Sequence, residues 1–104
     1  SFIPGSSSVT NIATIDEGIQ MVNSDITAGS YESITVEVGK PVKWTIHVDK
    51  GELNGCNNRI IIPKLGLEIS LKEGDNVVEF EPLQQGTLSF TCWMGMIRSK
   101  IVII

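Results

Sequence analysis

Histidine, cysteine and basic residues are all scarce in this sequence, and each shortage removes a class of function. There is one histidine, His47, so no site needing several imidazoles can be built from one chain. There are two cysteines, Cys56 and Cys92, and no Cys-x-x-Cys pair, which argues against thiol oxidoreductase chemistry. Lys and Arg number 8 against 12 Asp and Glu, for a net charge of −4. With no basic block, the chain offers no phosphate-binding surface and is not expected to bind nucleic acid. No apolar run approaches the roughly 18 to 20 residues that span a bilayer, and no charged start followed by an apolar stretch marks a signal peptide. The first residue is Ser1, not Met, which is the expectation for a processed product or an excised piece whose anchor or targeting segment lies elsewhere. The carboxylates Asp16, Glu17, Glu52, Glu73, Asp75, Glu79 and Glu81 show no paired spacing suited to acid–base catalysis, so they read as a solvated surface and no enzyme is expected.

What is present suits one compact domain. With 104 residues, 41% of them hydrophobic, the chain can bury roughly two-thirds of its unfolded surface. Residues 1–14 include Pro4-Gly5-Ser6-Ser7-Ser8 and read as a flexible tether, with the domain at 15–104. Short alternating runs then follow at strand length: 19–26, 33–38, 42–48, 59–62, 67–71, 76–81, 87–92 and 100–104. Gly, Pro, Asn and Asp separate them, as at 38–41, 72–75 and 84–86, and no segment sustains a helical period. The pattern predicts an all-β antiparallel sandwich or barrel. Along 87–92, period two puts Leu88, Phe90 and Cys92 on one inward face, with the chain leaving on a loop directly after the thiol.

That loop reads Cys92-Trp93-Met94-Gly95-Met96. Two thiols and two thioethers form a soft-sulfur set, and soft ligands select Cu(I) over zinc or the hard cations. A blue-copper centre needs two imidazoles and a thiolate, which His47 alone cannot complete. Cu(I) needs only two or three sulfurs, so the candidate ligands are Cys56, Cys92, Met94 and Met96. The flanked Gly95 lets the backbone fold tightly enough for both thioethers to turn toward one point. The competing reading is a Cys56 to Cys92 disulfide, which would stabilise the fold by roughly 3 to 4 kcal/mol. His47 alternates with Lys43 and Thr45 and falls on a polar face, Trp44 falls in the core, and Trp93 packs at or shields the rim of the site. Met21 reads as a core gap-filler. Asn57, Asn58 and Arg59 either orient the Cys56 thiolate or form an Asn-rich turn.

The sequence resembles the cupredoxins, in which one ligand ends an internal strand and the others cluster on the last loop, beginning with Cys. Within them it looks like the bacterial Cu(I)-binding domains found as membrane-tethered copper chaperones, as copper-ATPase amino-terminal regions and fused to TauE/SafE-type membrane proteins. The residues carrying the likeness are Leu53-Asn54-Gly55-Cys56-Asn57-Asn58, Ile60 to Pro63, Gly74-Asp75-Asn76 and Cys92-Trp93-Met94-Gly95-Met96-Ile97, over residues 19–104. The resemblance implies a cupredoxin-like Greek key of about seven to eight strands. It implies a first Cu(I) held by Cys56, Cys92 and Met94, and a second, weaker one shared by the thiolates and Met96. It also implies one or two Cu(I) ions, accepted and handed on outside the cytosol by a membrane-tethered, monomeric domain. The partner would be a copper-transporting membrane protein or another copper chaperone. The alternatives are an electron-transfer cupredoxin and a metal-free, disulfide-stapled interaction module of a membrane protein.

Overall fold

The computed structural model describes residues 10–104 and is all-β apart from a single 3-10 turn, Pro63–Leu65. The strands are β1 (Thr10–Ile12), β2 (Thr14–Asp16), β3 (Ile19–Thr27), β4 (Ser30–Tyr31), β5 (Ser33–Val36) and β6 (Val42–Val48). They continue with β7 (Arg59–Ile62), β8 (Leu67–Ser70), β9 (Gly74–Phe80), β10 (Gly86–Cys92) and β11 (Arg98–Ile103). One sheet runs β1-β5-β11-β10-β7-β8, and the other runs β2-β3-β6-β9 with β4 beside β3.

Each segment expected from alternation is a strand, because β-branched residues on one pleat face reach a shared interior. β6 is the plainest case: Val42, Trp44, Ile46 and Val48 are buried, while Lys43, Thr45 and His47 face outward. Three further short strands, β1, β2 and β4, lie outside the seven or eight expected. They are two or three residues long, too short to show a period. The tether expected over 1–14 is corrected at its end: β1 pairs in parallel with β5 and β2 pairs with β3, so strand structure reaches back past Ile15 to Thr10. Residues 1–9 of that expected tether lie outside the described residues.

The sheets are mixed where the alternation suggested antiparallel pairing. β3 and β6, β5 and β11, and β1 and β5 run parallel. The chain leaves β3, crosses to the opposite sheet as β5, and returns as β6, which restores the original direction. Alternation reports which face a residue takes and carries no information about the direction of its neighbour.

Trp44, Phe90, Ile34, Ile46, Ile60, Ile62 and Ile101 fill the interior between the sheets. Phe90 meets the Trp44 ring edge-on at 5.5 Å and stacks on Tyr31 at 5.9 Å. Met21 is not among the buried side chains. Its strand buries the even positions, so Gln20, Val22, Ser24 and Ile26 point inward and Met21 lies half-covered on the outer face. Gln20 can be buried because its amide is fully used: Nε2 donates to the carbonyls of Glu37 and Lys40, and Oε1 accepts the Glu37 N–H. Ser24 accepts the Trp44 indole N–H at 2.8 Å.

Candidate metal centre

Strand pairing brings the two cysteines together. β10 pairs with β7 through Thr91 and Ile61 and through Cys92 and Ile60, and the Trp93 N–H continues the ladder onto the Arg59 carbonyl. The turn just before β7 therefore lies against the end of β10. Cys56 is on that turn, and its Sγ is 3.6 Å from the Cys92 Sγ. Both cysteines are free thiols.

They are held differently. Cys92 ends a strand, is only 1% exposed, and faces the core as the alternation predicts. Cys56 is half-buried on a turn that its own asparagines shape. The Asn54 Oδ1 accepts the N–H groups of Cys56 (2.7 Å) and Asn57 (2.9 Å), an Asx turn. Asn57 is fully buried: its Nδ2 donates to the carbonyls of Thr27 and Glu52, and its Oδ1 accepts the Asn54 N–H. The Tyr31 hydroxyl donates to the Asn57 carbonyl at 2.9 Å. Burial, with the charge of Cys92 and Cys56 nearby, raises the Tyr31 phenol far above its ordinary value, so it stays a donor.

The loop from β10 to β11 wraps the Cys92 sulfur in its own backbone. The Gly95 N–H bonds to the Cys92 carbonyl, and the Cys92 N–H bonds to the Ile97 carbonyl, closing a tight loop over 93–96. Gly95 has φ of 75°, a left-handed conformation that costs other residues about 1 to 2 kcal/mol. The closed loop aims the N–H groups of Met96 (3.2 Å) and Ile97 (3.4 Å) at the Cys92 Sγ. Burial pushes the Cys92 thiol up, but the N–H groups of Ile97 and Met96, the Cys56 thiol and the Met94 N–H outweigh it and lower its pKa. Cys56 moves the other way, raised first by its hydrogen bond to Cys92, then by partial burial and the Cys92 charge. The pair is thus arranged to ionise at Cys92 first, with Cys56 keeping the proton.

Of the expected ligands, the fold joins the two thiols. Met94 and Met96 lie on the adjoining loop with 52% and 75% of their surfaces exposed, so both side chains are largely open to solvent. Their backbone holds the thiolate while their side chains are left at the rim. Among the described residues no group of three or more His, Cys, Asp or Glu side chains could hold a metal ion. His47 is elsewhere, on the outer face of β6, with Nδ1 bonded to Asp75 Oδ1 and Nε2 to Asp49 Oδ1, each at 2.8 Å.

Trp93 sits at the rim, 48% exposed, with its indole N–H shared between the carbonyl of Gly55 and the Oδ1 of Asn58. Asn58 thus serves Trp93, and the Arg59 guanidinium lies over the Trp93 ring at 5.6 Å while pairing with Glu68. Sequence reasoning placed Asn54 in the motif without giving it a role, and missed Tyr31. The Asn-x-Cys-Asn spacing carried a readable signal for the first, as an Asx turn; Tyr31 reaches the site from another strand and left none.

No known sequence family matches the chain, and no curated protein matches it. Solved structures do. A copper binding protein in the apo form is 27% identical, with a TM-score of 0.78, covering 89% of this chain and 95% of its own. The metal binding domain of the Cu(I)-exporting P-type ATPase CopA of Streptococcus pneumoniae D39, solved with Cu(I), is 22% identical with a TM-score of 0.79, covering 91% and 95%. A reduced point mutant of amicyanin is 19% identical with a TM-score of 0.58, covering 93% and 94%. By architecture this is a two-sheet β-sandwich carrying a thiol pair at one end. More particularly, its fold is the cupredoxin-like sandwich.

Proposed function

We propose that this domain binds Cu(I) as cargo and passes it on. The observation that carries the reading is the contact of two free thiols, 3.6 Å apart, beside a loop bearing two exposed thioethers. At metal–sulfur bonds of about 2.3 Å, that separation sets an angle of about 100° at a shared ion, which leaves room for a third sulfur. Cys56, Cys92 and Met94 hold the first copper, and Met96 shares the thiolates in a second, weaker site. The likeness to a copper binding protein and to a Cu(I)-loaded ATPase domain supports the choice of metal.

Release follows from the arrangement of the donors. Cys92 is buried and backbone N–H groups favour its thiolate, so it retains the ion. The exposed thioethers exchange, and a partner's thiolate or thioether enters as a methionine leaves. The domain acts monomerically and without catalytic turnover, outside the cytosol and tethered to a membrane, in copper trafficking or resistance. Its partner is a copper-transporting membrane protein or a second copper chaperone. An electron-transfer role lacks support, because His47 is held by two aspartates on the outer face of β6.

The test is an anaerobic Cu(I) titration against a chromophoric chelator. The reduced domain withdraws one or two Cu(I), Cys92→Ser abolishes this, and His47→Ala leaves it unchanged. Cys92→Ser binding as tightly as the parent refutes the site.

A further inference from the structure

Cys92 is fixed by its strand, so the separation of the two sulfurs depends on where the turn carrying Cys56 is held. One side chain ties that turn to the other half of the site. Trp93 is covalently next to Cys92, and its indole N–H bonds at 2.9 Å to the carbonyl of Gly55, the residue next to Cys56. The same N–H is shared with Asn58 Oδ1 at 3.2 Å, the Trp93 backbone N–H bonds to the Arg59 carbonyl at 3.0 Å, and the Arg59 guanidinium covers the ring. Trp93 therefore grips residues on both sides of Cys56 while being one peptide bond from Cys92. Bonds from Asn54, Asn57 and Tyr31 fix the turn's internal shape and its seat on the β3 side, and the Leu71 N–H holds the Asn58 carbonyl. They do not reach the 93–96 loop.

We infer that Trp93 is a positioning residue that sets the gap between the Cys56 and Cys92 sulfurs, bracing the dithiol for a soft ion without ligating it. This deepens the copper reading and rests on it for the identity of the ion, but the bracing of the thiols stands apart from copper. Half of the ring is exposed, so its exposed face adds little to folding. Its indole N–H is the part with a defined job: a phenyl ring keeps the ring packing and most of the cover for Arg59, and removes the bond to Gly55.

The test compares the reduced parent with Trp93→Phe and Asn58→Ala, using two probes that need both sulfurs. The first is Cu(I) in competition with a chelator. The second is phenylarsine oxide, in which trivalent arsenic forms two As–S bonds and the two thiol protons leave with its oxygen as water. Trp93→Phe weakens both probes about tenfold or more, in line with the loss of a group that orients a metal ligand, while the melting temperature of the domain barely moves. Asn58→Ala weakens both by a smaller factor, and it carries the test if Trp93→Phe does not fold. Unchanged affinity for both probes overturns the inference. So does loss of copper affinity with arsenical affinity intact, which would assign the ring a direct role at the ion. A parent that takes phenylarsine oxide but no Cu(I) overturns the proposed function alone, and the arsenical comparison still decides the role of Trp93.

Discussion

Cys92 and Cys56 are chemically identical residues made unequal by backbone. Three N–H groups of one tight loop lower the first, and its hydrogen bond to the first raises the second. A thiolate held this way is a fixed donor, so on the proposed reading differences in copper handling fall to the thioethers beside it. On the proposed two-site reading, Met94→Leu keeps volume but cannot coordinate, and it should weaken the first Cu(I) roughly tenfold, the lower end of what losing a group at a metal site costs. Met96→Leu should chiefly lower the stoichiometry. Equal effects of the two on a one-copper isotherm in the chelator titration would contradict the two-site assignment. At this scale the sequence was informative about residue type and weak on residue pose. Sulfur softness named Cys56, Cys92, Met94 and Met96 as candidates, of which the fold joins the two cysteines, and period two placed Cys92 inward. The exposure of both methionines, and the use of their N–H groups as the thiolate's donors, depend on the closed loop geometry, which no spacing rule encodes.

The elements show the same division. Alternation located β3 and β5 to β11 because each lays a run of apolar side chains on one pleat face, and it missed β1, β2 and β4, which are too short to have a period. Methionine's habit of filling cores put Met21 inside, and alternation said nothing of Gln20, since an amide tolerates burial only through partners on the 37–40 turn. Between β6 and β9 lies a cross-strand pair with a pH signature. His47 is opposite Asp75 on β9, next to Asp49 beyond its own strand, and opposite Asp25 on β3. The hydrogen bonds to Asp75, then Asp49, raise its pKa above 6.5. A group whose folded pKa lies above its unfolded value stabilises the fold fully below the unfolded value, and that contribution fades as pH rises through the folded one. Melting temperature should therefore decline as pH is raised above about 6.5, and His47→Gln should flatten that decline. An unchanged slope in the variant would show that the clasp contributes nothing, as exposure can dictate for such pairs.

For the molecule as a whole, the separation of its one imidazole from its thiols decides the colour chemistry. Strong blue absorption needs a thiolate on Cu(II) with two imidazoles. Added Cu(II) should oxidise the adjacent thiols, two Cu(II) taking two electrons as one disulfide forms and two protons leave, so the protein stays colourless. An intensely coloured Cu(II) form surviving gel filtration would revive electron transfer. The strand order carries a different consequence. β11, the last strand among the described residues, lies inside its sheet between β5 and β10. Its parallel partner, β5, is far upstream, a long-range pairing of the kind that slows folding. Without β11, β10 keeps β7 along one edge and has no neighbour along the other. The strand that ends at Cys92 is therefore gripped along both edges only once the chain's late strand has slotted in between β5 and β10.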